Sequence, residues 1–365
     1  MAVLKERIQE LREEIRRTPY NKATQHHIGR LKARISRLKE ESRAKAASKH
    51  RSDGYALRKA GDVTLVIVGF PSVGKSTLLN KLTGSASRVA TYDFTTIKVI
   101  PGVMEYRGAR IQILDVPGLI QGASSGKGRG KEVLSVIRSV DLIVLLIDVF
   151  NLHQLEALTT ELHEAGIRLN QRPPNAKIDK RARGGLNITS TVELSQVRER
   201  TLKAVLSEYR IHNADVVIRE DISLERFIDA VAGNRIYLPA LVVLNKIDLV
   251  KEDYLGEVNK KLPDCIAISA EKGHNLDELK AAIYVRMEFI RVFTKKPGKK
   301  ADLDEPIILV KGSTVGDACD RLHRDFRGKL RHAKIWGSSV KYRGQRVGLE
   351  HVLRDYDILA ISLRR

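Results

Sequence analysis

The chain has 365 residues, enough for two or three domains with a sizeable core, and carries 65 Lys+Arg against 44 Asp+Glu, a net charge of +21. Its two cysteines, Cys265 and Cys319, stand far apart, which excludes a disulfide framework and a cysteine metal cluster. The longest apolar run, LIVLLIDVF, is too short to span a bilayer and contains Asp148, and the N-terminus fits neither a secretory nor a mitochondrial signal; a cytoplasmic chain with no membrane partner is expected.

Leu4, Ile8, Leu11 and Ile15 recur at helical spacing. After TPYNKATQ, so do Ile28, Leu31, Ile35 and Leu38. This predicts two amphipathic helices folded as a hairpin within residues 1–61. The pair His26 and His27 has no second ligand pair and reads as helix surface. From Val63 the period changes. VTLVIVGF, IQILDV, LIVLLIDV, LPALVVLN and the weaker CIAIS are continuous apolar runs, as in strands buried on both faces. Helical stretches fall near 76–83, 130–139, 151–165 and 275–292. The alternation predicts an α/β domain over 62–293, a mostly parallel sheet with helices on both faces.

Residues 166–236 break the alternation. They open with the Pro/Gly/Arg-rich QRPPNAKIDKRARGG, followed by a helix near 195–209, the strand DVVIR and a helix near 223–232. A structureless loop of this length is improbable in a compact domain, so an inserted α+β subdomain is predicted. A polar linker at 294–303 then leads to a unit at 304–365. There PIILVKGSTVGDACDRLHRDF suggests strand, turn and helix, and AKIWG, VKYRGQRVG and DILAISL suggest short strands.

Charge is concentrated in the two ends. Residues 1–61 hold 17 basic and 7 acidic side chains, and residues 294–365 hold 17 and 9, so 18 of the 21 excess charges lie outside 62–293. Polyanion binding by the ends is the functional reading; a generally basic, soluble surface is the plain alternative. In the hairpin, Arg30, Lys32, Arg34, Arg37, Lys39 and Arg43 cannot all share one helix face and should leave several cations for phosphates. The C-terminal unit offers Arg321, Arg324, Arg327, Lys329, Arg331 and Lys334, and the insert Lys177, Lys180, Arg181 and Arg183. Trp336 reads as a core tryptophan in a strand, with stacking on an unpaired base as the alternative.

The chemistry is carried by four short stretches. Gly69-Phe70-Pro71-Ser72-Val73-Gly74-Lys75-Ser76 matches GxxxxGK[ST] between the first buried strand and a helix. Backbone N–H groups of the loop, among them those of Gly69, Ser72, Val73 and Gly74, can cradle phosphates where the helix begins, with Pro71 shaping the turn and Thr77 following. Lys75 is expected to bridge the β and γ phosphates, and Ser76 to ligate Mg²⁺. Asn245-Lys246-Ile247-Asp248 then selects the base. A carboxylate at Asp248 can accept from N1–H and the 2-amino group of guanine, whereas adenine offers no donor there. Leaving that charge unpaired costs several kcal/mol, roughly a thousandfold in preference. Asn245 is expected to buttress the site, Lys246 to cover the base, and Ser269-Ala270-Glu271 to offer backbone N–H to the guanine oxygen. Between these stretches, YDFTTI places Phe94, Thr95 and Thr96 near the γ-phosphate, where one of the threonines should reach Mg²⁺. Asp115 would hold Mg²⁺ through water, followed by Val116 and Pro117, and the Gly118 N–H would meet the γ-phosphate.

These stretches, with DVPGLIQGASSGKGRG at residues 115–130, resemble the Obg family of GTPases, and within it the developmentally regulated GTP-binding (DRG) branch, over nearly the whole length. The resemblance implies a P-loop GTPase with a basic helical N-terminus, an insert between the DxxG and NKxD motifs, and a C-terminal TGS domain of β-grasp fold. It implies Thr96 as the Mg²⁺ ligand and the set Lys75, Thr96 and Gly118 for hydrolysis. Gln121 departs from the family pattern, which carries an acidic or tyrosine residue there. Leu119, where many GTP hydrolases carry a water-orienting glutamine, is a trait of the wider group. The water must then be oriented by a partner protein, a cation or a rearranged loop. Some relatives use K⁺ held by a P-loop asparagine; Ser72 stands at that place here. Lys127, Arg129 and Lys131 either contact phosphate or a partner or form a solvated basic loop. Two readings of function follow. One is a slow GTPase switch acting on ribosomes or other RNA; the other is an RNA-binding module in which nucleotide only orders the fold. An ATP-dependent P-loop kinase is disfavoured by NKID.

Overall fold

The computed structural model describes residues 2–19, 21, 23–48, 61–83, 92–94, 97–116, 130–295 and 301–364. Two helices open the chain, α1 (Ala2–Arg17) and α2 (Gln25–Ser48). The α/β domain starts with β1 (Val63–Val68) and α3 (Lys75–Thr83), and continues through β2 (Tyr92–Phe94), β3 (Ile97–Tyr106), β4 (Ala109–Asp115), α4 (Gly130–Ile137), β5 (Leu142–Asp148) and α5 (Gln154–Glu164). The insert holds β6 (Ile167–Leu169), β7 (Ala176–Lys180), β8 (Leu186–Ser190), α6 (Glu199–Glu208), β9 (Ala214–Ile218) and α7 (Leu224–Ala232). The domain resumes with β10 (Ile236–Leu238), β11 (Ala240–Asn245), α8 (Glu252–Lys261), β12 (Cys265–Ala267) and α9 (Leu276–Arg286). The chain then forms β13 (Phe289–Lys295), β14 (Ala301–Val310), α10 (Val315–Leu322), α11 (Phe326–Lys329), β15 (Leu330–Trp336), β16 (Gln345–Val347) and β17 (Ile358–Leu363).

The seven-stranded central sheet has the order β12-β11-β5-β1-β4-β3-β2. β1, β4, β5, β11 and β12 run parallel, while β3 lies antiparallel to β4 and β2 antiparallel to β3. The parallel strands are the continuous apolar runs of the sequence: every residue of β1 and of β5 is buried, as a sheet covered on both faces requires. β2, β3 and α8 were not legible. Pro101 sits inside β3 and argues against a strand in the sequence, but β3 is tied by a tight hairpin, whose Arg107 and Gly108 both carry positive φ (50° and 82°). Because the chain leaves β1 toward β4 and later returns on its other side at β5, the order reverses at β1. The loop after β1 therefore opens at the carboxyl edge of the switch point, where such sheets bind ligands.

The chain divides into two compact units, residues 1–55 with 166–237 and residues 56–165 with 238–365. In the first, the helical hairpin is no separate arm. Ala33 of α2 lies in one core with Leu202, Leu206, Phe227 and Ile228 of the insert. A Cβ on Gly29 would meet Thr201 Cγ2 at 2.6 Å, so α2 and α6 approach closely there. Buried charges complete the contact. Asp229 accepts from Arg168 at 2.6 and 2.8 Å and from Arg235 at 2.8 Å, and Arg235 also pairs with Glu40 of α2 at 3.2 Å. Burial beside Glu40 pushes the Tyr209 phenol well above its ordinary pKa. Of the six hairpin cations, from which several were expected to remain for phosphates, three pair with carboxylates: Arg30 with Glu208 at 3.5 Å, Lys32 with Glu225, and Arg37 with Glu41 at 3.4 Å.

The second unit contains the central sheet and a five-stranded sheet of order β14-β13-β17-β15-β16, with α10 on one face. Residues 289–295, expected to end a helix and enter a linker, form β13 of this sheet instead. The expected boundary at 294 therefore falls inside a strand. Arg286 ends α9, Glu288 takes a positive φ of 47°, and the chain turns directly into β13. No helix among the described residues is long and apolar enough to cross a membrane.

Candidate nucleotide-binding site

The loop from Gly69 to Gly74 is shaped by close approach. A Cβ on Gly69 would come within 2.4 Å of the Leu146 carbonyl oxygen, and one on Gly74 within 2.4 Å of Asn245 Nδ2; Gly74 also carries φ 96°. Pro71 and Ser72 form the exposed tip, Ser72 with φ 64°, while Val73 is buried. Lys75 opens α3 and is buried. Its ammonium donates to the carbonyls of Gly69 (3.1 Å) and Phe70 (2.9 Å), so the cation lies inside the curl of the loop. Burial lowers its pKa, and the nearby Asp115 carboxylate pulls it back upward. Thr77 follows in the same turn of helix, half-buried.

Asp115 ends β4 and faces this loop. Ser76 Oγ donates to its Oδ2 at 2.6 Å. Its Oδ1 is buried with no hydrogen-bond partner among the described residues. A hydroxyl and a carboxylate with an unsatisfied buried oxygen form an all-oxygen donor set, which fits a hard divalent cation such as Mg²⁺. Val116 follows, buried. The backbone of Phe94 ends β2. Thr95, Thr96, Pro117, Gly118, Leu119, Gln121, Lys127 and Arg129 lie outside the described residues, as does the side chain of Lys131.

The base-side stretch stands at the carboxyl ends of β11 and β12. Asn245 is 3% exposed and bridges two loops: Nδ2 donates to the Val73 carbonyl at 2.8 Å, and Oδ1 accepts from the Ala270 N–H at 2.9 Å. Lys246 adopts a left-handed backbone (φ 69°), and its ammonium meets Asp148 Oδ2 at 2.7 Å. The sequence reading left out Asp148, which pairs across the sheet with Asn245 and uses its other oxygen for the Phe150 N–H at 2.8 Å. Its signal was a lone carboxylate closing a fully apolar strand. Asp248 lies in a short 3₁₀ turn, exposed, with no side-chain partner among the described residues. Ser269 and Ala270 are buried and Glu271 is exposed. Here the structure narrows the expectation. The Ser269 N–H is spent on the His274 carbonyl and the Ala270 N–H on Asn245, whereas the Glu271 N–H has no acceptor among the described residues.

A family model described as 50S ribosome-binding GTPase matches residues 64–180, a model of the C-terminal region of that domain matches 183–289, and a TGS-domain model matches 290–362. The chain is 55% identical to an uncharacterized GTP-binding protein of Methanocaldococcus jannaschii, over 99% of this chain and 93% of that one. It is 43% identical to developmentally-regulated G-protein 3 of Arabidopsis thaliana, over 99% of both chains. It is 42% identical to developmentally-regulated GTP-binding protein 2 of Homo sapiens, over 98% of both.

The chain belongs to the developmentally regulated GTP-binding protein family. As a DRG protein it combines a P-loop GTPase domain with a C-terminal TGS domain, and it is a GTPase. The TGS match begins at residue 290, one residue into β13, in accord with the strand that replaces the expected helix end.

Proposed function

We propose that this DRG protein hydrolyses GTP slowly and uses the difference between its GTP and GDP states to act on ribosomes or other RNA. The observation that carries the nucleotide half is the convergence of Lys75, Ser76, Asp115, Asn245 and Asp248 at one edge of the central sheet. The loop from Gly69 to Gly74 receives the β-phosphate, and Lys75, already held by two loop carbonyls, spans the β and γ oxygens. Ser76 and Thr96, and Asp115 through water, would hold Mg²⁺, which when bound would offset charge on the phosphate oxygens. The Gly118 N–H senses the γ-phosphate. Asp248 accepts from guanine while the Lys246 stem, anchored by Asp148, covers the base and Glu271 N–H meets the base oxygen. Leu119 carries no group that could orient water, so fast turnover requires a partner, a cation such as K⁺ or a rearranged loop.

The RNA half is supported by charge and by the family description. Residues 64–180 match a model of ribosome-binding GTPases, and the two ends of the chain carry almost all of the excess positive charge. The test is the affinity of the full chain for ribosomes and for RNA, with GDP and with a non-hydrolysable GTP analogue, across a salt series. A nucleotide-dependent affinity with a steep salt slope is expected. Equal affinity in the two states would replace the switch by a static binding module, and no affinity would remove the RNA half.

A further inference from the structure

The C-terminal sheet buries one face under α10 and leaves the other outside that core. In β15, Ala333 and Ile335 are fully buried among Val315, Ala318 and Cys319. His332, Lys334 and Trp336 therefore lie on the opposite face. The expectation of a core tryptophan is corrected: Trp336 is half-buried on the outer side. Register extends this face sideways, with Lys334 opposite Arg346 of β16 and Trp336 opposite Ile358 of β17. Lys295, at the end of β13, places its ammonium 4.6 Å from the centre of the Trp336 ring. Lys295, Trp336 and Ile358 line an open cavity of about 490 Å³ together with Ala301, Gly337 and Arg343.

Arg343 is held there by a built turn. Gln345 Oε1 accepts from the N–H groups of Lys341 (3.1 Å) and Tyr342 (3.4 Å), and the Gly344 N–H donates to the Ile335 carbonyl at 2.8 Å. Gly344 carries φ 76°, and a Cβ on it would come within 3.2 Å of the indole. The turn thus lies against the tryptophan and sets Arg343 at the rim of the cavity.

Three cations of this face meet no carboxylate among the described residues. Arg321, Arg327 and Lys329, on and beside α10 and α11, pair with Asp62, Asp320 and Asp325. Lys334, Arg343 and Arg346 have no acidic partner among the described residues. Burial, and then Arg346, Arg331 and Lys334, hold the His332 imidazole below its ordinary pKa, as an uncompensated positive field would.

We propose that this face binds a single-stranded RNA segment. One unpaired base stacks on Trp336 in place of the Lys295 ammonium, and Lys295, Arg343, Lys334 and Arg346 take the flanking phosphates. Stacking of a base on an aromatic ring outweighs an exposed ammonium over it, so the exchange is favourable and frees Lys295 for phosphate. A duplex presents no unstacked base, and an acidic peptide engages the cations without needing the ring. The proposal rests on the RNA reading above and names its site.

Trp336 is the single tryptophan of the chain, so the emission of the full-length protein reports this site directly. The GDP-bound protein is titrated with an unstructured single-stranded RNA, with the same RNA as a duplex, and with heparin. Saturable quenching by the single strand is expected, with little quenching by duplex or heparin. By anisotropy of the labelled single strand, Trp336→Leu and Arg343→Glu weaken binding about tenfold, while Trp336→Phe retains most of it. Unchanged GTP hydrolysis together with an unchanged thermal melt establishes that all three variants fold, the C-terminal sheet included. Quenching by heparin or duplex equal to that by the single strand, or wild-type RNA affinity in Trp336→Leu and Arg343→Glu, overturns the platform while leaving RNA binding elsewhere on the chain intact. Absence of any RNA binding by the wild type overturns both.

Discussion

Gly74 and Asn245 are packed so closely that a single methyl group does not fit between them: a Cβ on Gly74 would lie 2.4 Å from Asn245 Nδ2. The two residues belong to the phosphate side and the base side of the proposed nucleotide site. Asn245 bonds Val73 with one end of its amide and Ala270 with the other. The two halves of the site are therefore positioned by one buried side chain.

Gly74→Ala combines that clash with a left-handed φ of 96° and should abolish nucleotide binding. Asn245→Ala leaves the Val73 carbonyl and Ala270 N–H unpaired and should cost about 1–3 kcal/mol in GDP affinity or stability. Titration with a fluorescent GDP analogue together with thermal melts reads both. Tight GDP binding by Gly74→Ala would show that the loop can be rebuilt away from Asn245.

Asp248→Asn should weaken GTP binding and shift preference toward xanthosine nucleotide, because an amide can donate to the additional carbonyl of xanthine. The exposed carboxylate of Asp248, without a side-chain partner among the described residues, leaves the fold little to lose by the change. Competition of GTP against XTP is the measurement. Full GTP affinity with no gain for XTP would remove Asp248 from base recognition.

Leu119→Ala should leave basal hydrolysis within about tenfold, less than ~1.4 kcal/mol in barrier, since a leucine orients no water. Ser76→Ala, which removes the hydroxyl paired with Asp115 at 2.6 Å, should cost far more. Single-turnover hydrolysis of each variant at saturating GTP decides it. A collapse of the basal rate in Leu119→Ala alone would mean that this side chain shapes the reacting geometry.

Asp229→Ala removes the carboxylate shared by Arg168 and Arg235. Two buried guanidinium groups then lose a carboxylate acceptor, Arg235 keeping Glu40, and a destabilisation of about 3–5 kcal/mol is expected. The loss should appear in urea denaturation of the full chain and should release the N-terminal hairpin to proteolysis. A change below ~1 kcal/mol would show that apolar packing alone holds α2 on the insert.

The proposed nucleotide site could be read from sequence because its parts are local. A phosphate loop needs glycines at fixed offsets between a strand and a helix, and base recognition needs a carboxylate just past a strand end, so spacing within a few residues determines both. Leu119 likewise declared from sequence alone that no water-orienting amide stands at that position. Tertiary structure decided what depends on distant partners. The hairpin cations looked free because Glu208 and Glu225 are more than 170 residues away along the chain, and only folding brings them to Arg30 and Lys32. The strand at 289–295 read as a helix end followed by linker because a short apolar run has no decisive period; its pairing with β14 and β17 settles the matter. Trp336 was assigned to the core because a lone aromatic in a strand usually belongs there. Which face of a strand is buried follows from sheet register, and one step of register separates Ile335, packed under α10, from Trp336, on the outer face beside Lys295 and Arg343.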